Sequence, residues 1–189
     1  MRVWGRIIVL AMAAAGLAGC ASDKAVYSAL PPESAPTAQY TAPPSPIQCV
    51  PYAREHSSVK IFGDAWTWWG QAAGKFPREA APELGSVMVL AGYSGPRSGH
   101  VAVVRSVTNT REIRVDHANW LDDGAIYVDD PVADVSSTND WSEVRVWNIK
   151  TGAWGGRIYP VQGFIGPVQG AATDLIANAD PIGNLIAGQ

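Results

Sequence analysis

Residues 99–120 read GHVAVVRSVTNTREIRVDHANW, and the fold turns on how they are taken. Two strand-like runs, His100–Val107 and Glu112–Asn119, lie close together and are rich in the β-branched residues that suit a pleated surface. In the second run, alternation puts Ile113, Val115, His117 and Asn119 on one face and Glu112, Arg114 and Asp116 on the other. The first face is apolar and ends in two polar groups, the pattern of an inward face where a sheet meets a cleft. His100 stands at the mouth of an apolar strand, just after the turn-rich Ser94–Gly99. Asp116, beside Arg114, falls on the solvated side in this reading.

Further strand-like runs lie on both sides: Val87–Leu90, Ala125–Val128 and Val144–Ile149, with Arg157–Pro160 and Phe164–Ile165 as material for a last strand. Upstream, residues 49–56 read as a short helix and 64–73 as a clearer one, with Asp64 as N-cap and Gly74 as the C′ residue. Trp66, Trp69 and Ala73 share a face of that helix, and the two tryptophans are expected to hold it against the sheet. Two helices and then a run of strands predict an α+β fold, with N-terminal helices packed on an antiparallel β-sheet.

The start of the chain is an address. Arg2 and Arg6 precede the apolar run Ile7–Leu17, which at ~1.5 Å per residue spans about half of a ~30 Å hydrocarbon core. It is a signal-peptide core rather than a membrane span. Leu17-Ala18-Gly19-Cys20 follows and resembles the lipobox of bacterial lipoproteins, in which the cysteine is acylated and becomes the mature N-terminus. Ala21 after it suggests, on the same pattern, sorting to an outer membrane facing the periplasm. Residues 21–47 hold six prolines among Ala, Ser and Thr. Such a segment favours extended, hydrated backbone reaching at most about 80 Å, and is expected to be a disordered tether. The chain therefore divides into a leader (1–19), a tether (20–47), a working domain (48–166) and a tail (167–189).

Composition narrows the function. With 47% hydrophobic and 16% charged residues the chain can bury a real core, and a formal charge of −3 without a basic block argues against nucleic acid as a partner. Two cysteines and three histidines leave little for a zinc site. Asp122, Asp123, Asp129 and Asp130 lack the spacing of a calcium loop and read as solvated surface, so no metal and no cofactor is predicted.

Acylation of Cys20 would leave Cys49 as the only thiol, and a lone thiol in an oxidising compartment is a liability unless it has a job. Cys49 sits just before a helix start, where unpaired N–H groups lower a thiol pKa and can hold an oxyanion. A cysteine nucleophile also needs a base. His56, ~10 Å along the helix from Cys49, is too far and reads as surface. His100 and His117 remain.

These residues carry a resemblance. Gln48-Cys49-Val50-Pro51-Tyr52-Ala53, Gly63-Asp64-Ala65-Trp66-Thr67-Trp68-Trp69, Pro82-Glu83-Leu84-Gly85-Ser86-Val87, Gly99-His100-Val101-Ala102-Val103-Val104 and Val115-Asp116-His117-Ala118-Asn119-Trp120 look like successive landmarks of the CHAP domain. The resemblance runs over roughly residues 48–150 and implies a papain-like, NlpC/P60-like fold and cleavage of peptidoglycan as an amidase or peptide endopeptidase. By position it implies Cys49 as nucleophile and His100 as general base. Asn119 matches a family Asn, while His117 stands where the family often has Glu. His117 is assigned to orient the His100 imidazole, with Asn119 as a supporting polar residue or the alternative orienter. Trp120 either shields the cleft or stacks on a sugar or peptide of the substrate.

The function expected is therefore a lipid-anchored cysteine hydrolase of the cell wall, with peptidoglycan as substrate and the membrane engaged through the lipid. The rival is a catalytically silent wall-binding lipoprotein that keeps the fold.

Overall fold

The computed structural model describes residues 37–168. The leader, Cys20, most of the proline-rich segment and nearly all of the tail lie outside the described residues. Among the described residues no helix is long and apolar enough to cross a membrane.

The chain forms β1 (Gln39–Thr41), α1 (Cys49–Glu55), a 3₁₀ turn (Ala65–Thr67), α2 (Trp68–Ala72), β2 (Arg78–Glu79), β3 (Val87–Ala91), β4 (Gly99–Asn109), β5 (Glu112–Ala118), β6 (Ile126–Asp134), β7 (Glu143–Asn148), β8 (Ala153–Trp154) and β9 (Tyr159–Ile165). The order β6-β5-β4-β3-β9-β7 returns on itself through a β6–β7 pairing, so six antiparallel strands close into a barrel. Three short strands add to it: β1 on β6, β2 on β9 and β8 on β7.

This corrects the expected α+β architecture of helices packed on a sheet. Among the described residues the protein is mostly β, with 39% strand against 11% helix and only two short helices. The strands themselves were legible. What alternation could not supply was the closure, because β6 pairs β5 along one edge and β1 and then β7 along the other. Closure removes the exposed edges that an open sheet must protect.

Alternation along the strands divides the apolar residues between two clusters. Met88, Leu90, Ala102, Val104, Ile113, Val115, Val132, Val144, Val146 and Phe164 make one, with Trp120, Tyr127 and Trp141. Val87, Val89, Val101, Val103 and Ile165 point the other way, against Ala53 of α1 and Trp68 and Ala72 of α2. His100 and His117 share strand faces with the first set.

The second helical segment is out of phase with its expected reading. A 3₁₀ turn precedes α2, so the buried residues are Trp68 and Ala72, both at 0% exposure, while Trp66 is 40% exposed. Trp69 is half-buried over Gly163, where an added Cβ would lie 2.5 Å from its ring. Gly74 has φ +70, as a C′ residue requires. Asp64 precedes the turn without a side-chain cap.

Residues 37–47, assigned from the sequence to the tether, lie on the barrel. Gln39–Thr41 pair with Ile126–Val128, Tyr40 stacks on Tyr127, and the Ile47 N–H donates to the Gly124 carbonyl at 3.1 Å. Proline is compatible with this path because an edge strap needs few ladder donors.

Candidate active site

Cys49 is the first residue of α1, and its thiol is half-buried. Gln48 before it is extended and offers no side-chain cap. Cavities open on both sides of the cysteine. One, of about 460 Å³, is lined by Gln48, Cys49, Asp64, Trp66, Arg97 and Gly99 among others. The other, of about 280 Å³, is lined by Cys49, Tyr93, Ser98, His100, Asn119 and Asp122 among others. Gly99 lets the two walls close up: a Cβ there would lie 2.6 Å from the Trp66 backbone nitrogen. The structure thus brings Cys49, His100 and Asn119 to one cleft.

Helix-start geometry predicted a thiol more acidic than usual. The structure reverses that expectation. Burial pushes the Cys49 thiol above its ordinary value, and it outweighs backbone hydrogen bonds at Val101, Val50 and Cys49 itself that pull the other way. Burial also holds His100 well below the usual imidazole range, with the neighbouring His117 adding to the effect. Both shifts favour the neutral forms, a thiol and an unprotonated imidazole.

His100 is 2% exposed and His117 1%. His100 Nε2 lies 2.9 Å from His117 Nδ1, with the rings nearly perpendicular at 84°. The second nitrogen of His117, Nε2, lies 3.1 Å from Asp130 Oδ2. Asp130 is fully buried, and its Oδ1 has no hydrogen-bond partner among the described residues. Burial raises its carboxyl above the usual carboxylate range, while His117 and the Arg114 charge oppose that shift.

Asp130 is the residue that sequence reasoning missed. The signal against it was alternation: counted from Tyr127, Asp130 falls on the outer face. A bulge resets the count. Val115 pairs with Asp130 and His117 with Tyr127, so Asp116 alone faces both Val128 and Asp129. Asp129 takes the left-handed conformation at φ +57, and its N–H donates to Asp116 Oδ1 at 2.8 Å. Arg105 holds the same corner, donating to Asp116 Oδ2 at 2.9 Å and lying 3.8 Å from Asp129. The half-buried Asp116 thus secures the bulge that turns Asp130 inward. The reading of Asp130 as solvated surface is corrected, whereas Asp123 is exposed as expected and accepts from Tyr127 Oη at 2.6 Å and Lys150 Nζ at 2.7 Å. Arg114 too is buried, donating to Glu112 at 3.1 Å.

Between the two candidate orienters the geometry is unequal. Asn119, at φ +59, donates to Gln48 Oε1 at 2.9 Å and accepts from the Gly124 N–H at 2.7 Å. It ties the turn after β5 to the residue before Cys49, and its side-chain bonds go there rather than to His100.

The placement of Trp120 fits the shielding alternative better than the stacking one. It is 4% exposed, and its ring packs 4.9 Å from His100 and 5.3 Å from His117. Tyr93 adds a wall 5.4 Å from His100 and donates its hydroxyl to the Trp120 carbonyl. No face of Trp120 is left for a sugar. His56 is exposed and packs at a tilt on the Tyr52 ring, 4.2 Å between centroids. Among the described residues, no group of three or more His, Cys, Asp or Glu side chains is placed to hold a metal ion.

A search of curated proteins returned no significant match. A family model does match: residues 39–119 fit the CHAP domain. The matched stretch opens at the strap strand β1 and includes Cys49, His100 and His117, and it stops short of Asp130. Residues 39–119 thus match the CHAP family, whose domains are cysteine/histidine-dependent amidohydrolases and peptidases of the papain-like class.

Proposed function

We propose that the protein is a lipid-anchored peptidoglycan hydrolase that cuts an amide bond through a Cys49 acyl-enzyme. One observation carries the reading: Cys49 and His100 line the same cavity, and His100 is backed by a buried hydrogen-bonded partner. Because burial favours the neutral thiol, His100 takes the thiol proton as the sulfur attacks the amide carbonyl, rather than beginning in a thiolate–imidazolium pair. The backbone groups that hydrogen-bond the sulfur favour charge as it develops there. The protonated His100 then gives its proton to the leaving amine, and water releases the acyl group.

The cleft on both sides of Cys49 suits an extended peptide. Asp64 and Arg97 on one side and Asp122 on the other offer charges to a substrate bearing both amines and carboxylates. The Leu17-Ala18-Gly19-Cys20 signature supports acylation at Cys20 and a place at the outer membrane facing the periplasm. Cys20→Ser is expected to leave an unprocessed or soluble protein; fractionation with membranes at the wild-type mature mass would contradict the anchor.

Digestion of purified peptidoglycan tests the activity. Wild type is expected to release products and Cys49→Ala none. Mass spectrometry of those products separates an amidase, which frees whole stem peptides from glycan, from an endopeptidase, which shortens them. Undiminished release by Cys49→Ala would overturn the proposal.

A further inference from the structure

The path from the cleft inward, His100 to His117 to Asp130, contains more than an orienting contact. An imidazole can donate or accept at either nitrogen, and an imidazole–imidazole bond by itself leaves that choice open. Two orientations of the whole chain of hydrogen bonds satisfy the 2.9 Å contact equally well. A carboxylate breaks the tie, because it can only accept.

We infer that Asp130 is a positioning residue that fixes the tautomers of both histidines, so that His100 presents a lone pair and not a hydrogen to the cleft. With Asp130 ionised, His117 Nε2 carries the hydrogen and donates across the 3.1 Å contact. Neutral His117 then has its lone pair on Nδ1 and accepts from His100 Nε2–H at 2.9 Å. Neutral His100 in turn has its lone pair on Nδ1, the ring nitrogen left for the cavity that it shares with Cys49. The Cys49 proton can move to that Nδ1 as the sulfur attacks, and the imidazolium so formed still donates Nε2–H to His117. In the reversed chain, His100 carries its hydrogen on Nδ1 and has no site to receive a proton.

The surroundings suit a relay of fixed direction. All three side chains are at most 2% exposed, so water does not compete for their hydrogen bonds. Trp120 and Tyr127 pack on the His117 ring at 5.3 and 5.4 Å, and Trp120 and Tyr93 on the His100 ring. The Arg114 charge favours the ionised carboxyl. The unpartnered Asp130 Oδ1 shows that this carboxylate is held buried at a cost, and its bond to His117 is the compensation on view.

The inference rests on the proposed hydrolase reading for its consequence, but the experiment reads the tautomers directly. Long-range ¹H–¹⁵N correlation spectra of the protein at neutral pH distinguish Nε2–H from Nδ1–H imidazoles. Wild type is expected to show both His100 and His117 as Nε2–H tautomers, assigned with His100→Gln and His117→Gln. In Asp130→Asn, whose amide can also donate, the Nε2–H signatures are expected to weaken or shift to Nδ1–H, and kcat on a soluble stem-peptide fragment to fall by roughly 10²- to 10⁴-fold with KM little changed. An Nδ1–H tautomer at either histidine in the wild type overturns the inference, even if Asp130→Asn does not fold. So does an Asp130→Asn protein with wild-type tautomers and wild-type kcat. If the tautomers are as expected but wild type cuts no peptidoglycan, it is the hydrolase reading that fails.

Discussion

Cys49, His100 and His117 could be picked out one by one from the sequence, because each is a reactive residue type at a change of local pattern. Their protonation could not. A helix start speaks for an acidic thiol, yet burial is the larger effect and pushes Cys49 upward. Iodoacetamide labelling of the folded protein is accordingly expected to rise with a midpoint above the ordinary thiol value of about 8.5. A midpoint below it would mean that the backbone hydrogen bonds, and not burial, dominate. Asp130 was hidden for a different reason: a single left-handed residue, Asp129, inverts the strand phase before it. The choice between His117 and Asn119 also needed the fold. Since Asn119 is bonded to Gln48 and Gly124, His117→Ala is expected to lower kcat far more than Asn119→Ala. Equal losses in steady-state kinetics would contradict the assignment.

At the scale of elements, strands β3, β4, β5 and β7 follow directly from hydrophobic runs, whereas the strap does not. Gln39–Thr41 is a three-residue strand in a proline-rich segment, and every one of its residues is exposed. Nothing in its pattern distinguishes it from tether; its partner does. Limited proteolysis is therefore expected to leave a stable core that starts before Gln39, and a fragment trimmed to Gln48 without loss of thermal stability would show that the strap is incidental. Gly124 is the sensitive point. It has φ +66, and a Cβ there would lie 2.4 Å from Pro46. Gly124→Ala is expected to cost on the order of 2 kcal/mol in denaturant unfolding. It should also loosen the Asn119–Gln48 contact beside Cys49.

At the scale of the molecule, the barrel is what allows two histidines and a carboxylate to be buried together, since a closed ring of strands has an interior that an open sheet lacks. That interior has a consequence for acid stability. The unfolded chain takes up a proton on a histidine near pH 6.5, while His100, held well below that value in the folded protein, does not. Its contribution is fully present above pH 6.5 and is lost as the pH falls below, at up to about 1.4 kcal/mol per pH unit, until the folded value is reached. Asp130, whose folded value is raised, acts in the opposite sense: it favours the folded state on the acid side, and that benefit fades as the pH rises from about 4 through its folded value. The difference between wild type and His100→Gln isolates the first effect, and the wild type is expected to lose more stability between pH 6.5 and 5.5 in denaturant titrations. Parallel curves would mean that His100 is protonated in the fold. The central claim, that this barrel presents Cys49 as a nucleophile with His100 as its base, is tested most directly by acid-quenching the protein during turnover of a soluble stem-peptide fragment and weighing it intact. The account predicts a transient mass increase equal to the acyl part of the substrate, located on Cys49 and absent in Cys49→Ser and His100→Ala. Turnover by Cys49→Ser at the wild-type rate, with no adduct on the wild-type cysteine, would contradict it.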